Sequence, residues 1–149
     1  MNQELGSIKG RFYKLFPVKV YEMEVPENFV SPSLYFSEPT TFDSNDTVSS
    51  FMVTNSLSVK LFHHDSKQAF DQASSIANAI RSNRSIISLL NVDGSETGEY
   101  IRFSRIDVRR SESAVAIIIL TWDSRFYYER KDVPTIDNIQ FETEVKENE

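Results

Sequence analysis

Residues 48–80 read VSSFMVTNSLSVKLFHHDSKQAFDQASSIANAI, and two periodicities in that stretch decide the fold class. Phe51, Val53, Leu57, Val59 and Leu61 share one parity, whereas Ser50, Thr54, Ser56, Ser58 and Lys60 occupy the other. A period of two with one apolar face predicts a half-buried antiparallel strand from Val48 to Phe62, with Met52 and Asn55 as exceptions. Beyond it, Ala69, Ala73, Ile76, Ala77 and Ile80 recur at helical spacing, with Phe70 at the margin. This predicts a helix from about Lys67 to about Ser82 whose small residues let it lie close on a sheet. Asp65 or Ser66 can cap it, because a short oxygen side chain accepts from a free N–H of the first turn, and Asn83 is a reasonable stop.

Upstream, Leu5, Ile8, Phe12 and Leu15 form a helical stripe among Gln3, Glu4, Lys9, Arg11 and Lys14. Gly6 and Gly10 weaken this helix, so packing has to hold it, and Pro17 ends it. Val18 to Val25 reads as a strand between Pro17 and Pro26. Phe29 to Phe36 reads as another that is broken or placed at an edge by Pro32, which cannot donate to a ladder. Residues 37–47 are polar and rich in turn formers, the composition of a loop.

Downstream, Ser85 to Leu90 is a short apolar stretch, and Val92 to Gly98 holds an Asp93-Gly94 turn. Tyr100 to Arg109 is a strand with a phase fault: Ile101 and Phe103 share one parity, Ile106 and Val108 the other. A bulge near Ser104 or Arg105 reconciles them. After a turn at Arg110 to Ser113, Ala114 to Asp123 returns as a strand that is apolar at both parities through Leu120, so its second face needs a cover, either helices or another subunit. These elements predict a mostly antiparallel sheet of about five strands with an N-terminal helix and one main helix packed on it, an α+β fold. Residues 1–130 form one domain, and 131–149 form an acidic C-terminal arm, loose in the free chain, with Ile139, Phe141 and Val145 thinly spaced.

Composition narrows the function classes. The chain has 149 residues, 40% hydrophobic and 26% charged, enough for one globular domain with a real core. A net charge of -6 argues against a dedicated nucleic-acid binder, though it leaves room for a local basic patch. The absence of cysteine removes disulfides, thiolate metal sites and a cysteine nucleophile. The N-terminal residues lack the pattern of a signal peptide, and the longest apolar run, Ala114 to Leu120, is too short to span a bilayer, so a soluble protein with no membrane partner is expected.

Candidate sites are sparse. His63 and His64 precede Asp65, but adjacent strand residues point to opposite faces and no third metal ligand follows at a recognisable spacing. Asp93, Glu96 and Glu99 lack the order of a calcium loop, and turn chemistry explains Asp93-Gly94 better. Neither a Gly-x-Ser-x-Gly elbow nor a phosphate-cradling glycine loop is present. No enzymatic activity, cofactor or metal is expected. Arg102, Arg105, Arg109 and Arg110 cluster in one hairpin, where they either face DNA or an acidic partner or simply form a solvated sheet face. Phe126, Tyr127 and Tyr128 suit either an interface or the core.

The stretch Ile8-Lys-Gly-Arg-Phe-Tyr-Lys-Leu-Phe-Pro17 followed by Val20-Tyr21-Glu22 resembles the entry helix and first strand of tail-terminator (tail-completion) proteins of long-tailed bacteriophages. Phe29-Val-Ser-Pro-Ser-Leu-Tyr-Phe36 is similar to that family's next strand. Val59-Lys-Leu-Phe62, a helix with Ala77-Asn78-Ala79-Ile80 and the terminal hairpin continue the likeness, which covers roughly residues 7–123. The acidic arm has no counterpart in it. The resemblance implies a structural virion protein of the tail or neck, made in the host bacterial cytoplasm. It would form a homo-oligomeric ring, typically a hexamer, that caps the tail tube, stops elongation and forms part of the head–tail joint. Its partners would be further copies of itself, the tail-tube protein and the head–tail connector, with transient contact to passing DNA. The family has no catalytic residues to carry over. Under that reading Ile117, Ile119, Trp122, Phe126, Tyr127, Tyr128 and Phe42 are candidates for the subunit or tail interface, and Arg102, Arg105, Arg109 and Arg110 for a lumen. Two other readings stay open: another neck, connector or tail-tube subunit, and a small-ligand-binding or enzymatic α+β domain, which would need a deep pocket with convergent polar groups. A nucleic-acid module would need a contiguous basic face.

Overall fold

A computed structural model describes residues 2–129. The elements run α1 (Asn2–Leu15), β1 (Lys19–Glu22), β2 (Ser33–Phe36), β3 (Thr40–Asn45), β4 (Ser50–Phe62), α2 (Ser66–Ser82), β5 (Ile86–Leu90), β6 (Glu96–Arg110) and β7 (Val115–Tyr127). The strands form a seven-stranded sheet in the order β1-β2-β4-β7-β6-β5, with β3 paired to the first half of β4. Among the described residues, only β1 and β2 run parallel; every other pair is antiparallel. The chain therefore has the expected α+β fold, with two helices against a mostly antiparallel sheet. The expected arm, residues 131–149, lies outside the described residues.

The strand count differs from the expected five in two places. Residues 40–45 fall in the segment read as a loop, yet they form β3, with Thr40 opposite Ser56 and Asn45 opposite Phe51. All six β3 residues are exposed, so the strand carries no apolar face and rests on main-chain bonding to β4. The apolar stretch after α2 is β5, paired with the first part of β6. Pro32 breaks its segment without placing it at an edge: β2 begins at Ser33 and lies between β1 and β4. The last strand runs to Tyr127, beyond its expected end at Asp123.

α2 buries Ala69, Ala73, Ile76, Ala77 and Ile80, the stripe its spacing predicts, against β6 and β7. Asp65 is its N-cap, accepting from the Gln68 N–H at 2.7 Å, and Asn83 closes it. α1 lies along β5, where the Ser7 hydroxyl accepts from the Leu90 N–H and donates to the Gln3 carbonyl. Farther along α1, Phe12 meets Phe36 edge to face, and Lys9 pairs with Glu22 at 2.9 Å. Ile8 and Phe12 are fully buried. Burying a large apolar side chain contributes roughly 1.5–3 kcal/mol, so this packing offsets what Gly6 and Gly10 cost the helix.

β6 divides its length between two neighbours. Phe103 to Arg110 pair with β7, from Phe103 opposite Trp122 to Arg110 opposite Ala116. Glu96 to Arg102 pair with β5 instead. The register slips between Phe103 and Arg105, which makes Ser104 the extra residue of a bulge. That slip is why Ile101 and Phe103 on one side, and Ile106 on the other, all reach the same core.

Candidate functional site

Beyond the part of the sheet covered by the helices, β3, the first half of β4 and the second half of β7 form a three-stranded tongue. Its helix-side face carries Phe51, Val53, Phe126 and Tyr128. The Phe51 ring stacks on Phe126 at 5.7 Å between centroids and lies 5.3 Å from Tyr128. Phe126 and Tyr128 still expose 44% and 51% of their surface. The opposite face carries Phe42, Met52, Thr54, Asp123, Arg125 and Tyr127, with Phe42 61% and Tyr127 73% exposed. On that face Thr54 donates to Asp123 at 2.6 Å, and Arg125 pairs with Asp46 at 2.7 Å. The expected aromatic cluster thus divides between two faces, because Phe126, Tyr127 and Tyr128 follow one another along an extended chain.

At the root of the tongue sits a polar cluster that sequence reasoning passed over. Trp122 Nε1 donates to Glu4 Oε2 at 2.8 Å, and the Ser124 hydroxyl donates to the same carboxylate at 2.8 Å. Asn55, fully buried, donates through Nδ2 to the Ser124 hydroxyl at 3.0 Å. Its Oδ1 is buried with no hydrogen-bond partner among the described residues. The available signal was Asn55 itself, a polar residue at a core parity of the long strand. Trp122, expected at an interface, is corrected by the structure: its side chain has no exposed surface, and its ring meets Phe103 edge to face at 5.8 Å.

The sheet face opposite the helices carries Ile117 and Ile119, both half-buried. Strand register places Ile117 between Lys60 and Arg109, and Lys60 beside Tyr35 and Tyr21. Ile119 lies between Ser58 and Asp107. Arg102, Arg105 and Arg109 are exposed on this face, with Arg105 ion-paired to Asp107 at 2.9 Å. Arg110 does not join them: it lies on the helix side, its guanidinium 5.4 Å from the centre of the Phe70 ring. The bulge and the alternation of the strand together separate it from the other arginines.

The remaining sequence candidates are turn and strand-end features. His63 and His64 follow β4, so strand alternation does not separate them. Their rings meet edge to face at 5.0 Å, His63 stacks on Phe16, and its Nδ1 accepts from the His64 N–H. Asp93 accepts from the Ser95 N–H and hydroxyl, and these bonds to the ionised form hold its carboxyl below the ordinary 3.8. Among the described residues, no group of three or more His, Asp or Glu side chains could hold a metal ion. A concavity of about 130 Å³ between α1 and β5 has Ser7, Arg11, Lys14 and Asn83 in its lining. Another of about 590 Å³ at the start of α1 is lined by uncharged residues, including Asn2, Gln3, Asn91 and Val92. No helix of the described chain is long and apolar enough to cross a membrane.

These features define a two-layer α+β domain that displays its aromatics and cations on a sheet. No protein-family model matches the chain. Two proteins of Bacillus subtilis (strain 168) match it along almost its whole length. The uncharacterized protein YqbJ is 49% identical over 146 residues, covering 98% of this chain and 100% of that protein. The phage-like element PBSX protein XkdJ is 43% identical over 146 residues, again covering 98% and 100%. The chain belongs to the family of XkdJ and YqbJ. Among solved structures, a chain from the virion of a native gene transfer agent particle aligns with a TM-score of 0.49 and 15% identity, over 83% of this chain and 93% of that one.

Proposed function

We propose that this protein is a structural component of a phage-type virion, without enzymatic activity, that closes into a ring on the end of the tail tube. The observation that carries the phage assignment is the full-length relation to XkdJ, a protein of a phage-like element. The tail-capping role rests on the likeness of residues 7–123 to tail terminators. The surfaces suit such a role. A ring subunit needs two different patches that meet under a closing rotation. The tongue supplies exposed aromatics at Phe42, Phe126, Tyr127 and Tyr128, residue types enriched where proteins meet. Ile117 and Ile119 extend an apolar strip along the neighbouring face, and Arg102, Arg105 and Arg109 provide the cations of a surface that DNA passes. The ring stops elongation by occupying the growing end of the tube and offers its other side to the head connector.

Light scattering on the purified protein over a concentration series, with and without tail tubes, tests this reading. A discrete ring, or a monomer that becomes a ring only on tube ends, supports it. Open-ended stacks point to a tube subunit. A strict monomer that ignores tubes returns the protein to the ligand-binding or enzymatic class.

A further inference from the structure

Among the described residues, the tongue has an unpaired edge. β7 pairs with β4 along its whole length, from Val115 opposite Phe62 to Tyr127 opposite Ser50. On its other side it pairs with β6 only as far as Trp122. There the bulge at Ser104 lets β6 leave for β5, so Asp123 to Tyr127 have no strand on that side among the described residues. An open edge of this kind exposes main-chain donors and acceptors and is a ready template for another strand.

The same chain carries a segment whose pattern fits that edge. Ile139-Gln-Phe141-Glu-Thr143-Glu-Val145 alternates: Ile139, Phe141 and Val145 share one parity with Thr143, and Gln140, Glu142 and Glu144 take the other. Alternation of apolar and polar residues over such a length is the signature of a strand with one covered face. The two faces flanking the open edge differ in the matching sense. The helix side offers Phe51, Phe126 and Tyr128 to an apolar parity. The helix-free side carries Arg125, which pairs with Asp46 and shares its face with Asp123, and across the fork Arg102 and Arg105, the latter paired with Asp107; these cations face the acidic parity. The other open edge, along β3, offers Thr41, Asp43 and Asn45 on the helix side and has no apolar residue there to match.

We infer that residues 139–145 of one copy add as a strand to the Asp123–Tyr127 edge of a neighbouring copy, linking successive subunits by main-chain pairing. This inference rests on the ring reading. A head-to-tail ring is the arrangement in which every edge receives one arm and every arm finds one edge.

The natural chain has no cysteine, so an engineered pair is the only possible disulfide. Tyr127→Cys is combined in turn with Gln140→Cys, Glu142→Cys and Glu144→Cys in the full-length protein, and oxidised mildly. At least one combination should give a non-reducing ladder of dimers, trimers and larger species, while single-cysteine variants give none beyond dimer. In the unmodified protein, amides at 123–127 and 139–145 should exchange about tenfold or more slowly in the oligomer than after dilution to monomer. A disulfide confined to single chains overturns the pairing between copies. An oligomer under reducing conditions with no ladder in any combination and no amide protection overturns the arm pairing and leaves the ring reading standing. A protein that is monomeric with and without tail tubes overturns both.

Discussion

Trp122 sits where three strands and a helix meet, beside Asn55 of β4 and Phe103 of β6, with its indole N–H on Glu4 of α1. Trp122→Ala should therefore lower stability by about 3–5 kcal/mol, the range for removing a large aromatic from a core, read as a fall in Tm. Ser124→Ala removes donation to Glu4 and should cost about 1–2 kcal/mol, because a hydrogen bond to a carboxylate is stronger than a neutral one. The sequence contained the information that Trp122 is internal. Ala116, Ile118, Leu120 and Trp122 share a parity and are all buried, while Ile117 and Ile119 are the residues off it. Apolar character at both parities obscured that order. Asp93 makes a prediction in pH. Its carboxyl titrates below 3.8 when folded, so its contribution is present above the unfolded value and is lost as pH falls through the folded one. Carbon-detected NMR should place its midpoint below 3.8, and Ser95→Ala should raise it.

At the level of elements, what was readable followed from side-chain periodicity and what was not followed from main-chain bonding. The α2 stripe, the Asp65 cap and the bulge at Ser104 each leave a trace in the order of residue types. β3 leaves none, because a strand exposed at every residue needs no apolar face. The cap gives a direct test: Asp65→Ala should cost about 1 kcal/mol in thermal unfolding, since the Gln68 N–H loses its acceptor. The bulge gives a sharper one. Deleting Ser104 restores a regular ladder and turns one half of β6 over relative to the other. Ile101 and Phe103 would then face outward, or Ile106 and Val108 would. The deletion should leave the protein unfolded or aggregated, visible as loss of the cooperative thermal transition.

For the whole molecule, residues that hold the domain are distinct from residues proposed to join it to others. Phe126 and Tyr127 are proposed for the second group, with 44% and 73% of their surface exposed. Replacing both with serine should weaken assembly while leaving Tm nearly unchanged; a large fall in Tm would place them in the core instead. One relative, XkdJ, is a protein of a phage-like element, and the proposed tail-capping role is what most needs a test. Electron microscopy of tail tubes assembled with the protein tests it most directly. The expected result is a single ring at one end of each tube and growth that stops once the ring is in place. Tubes that lengthen as they do without the protein, with bare ends, would contradict it.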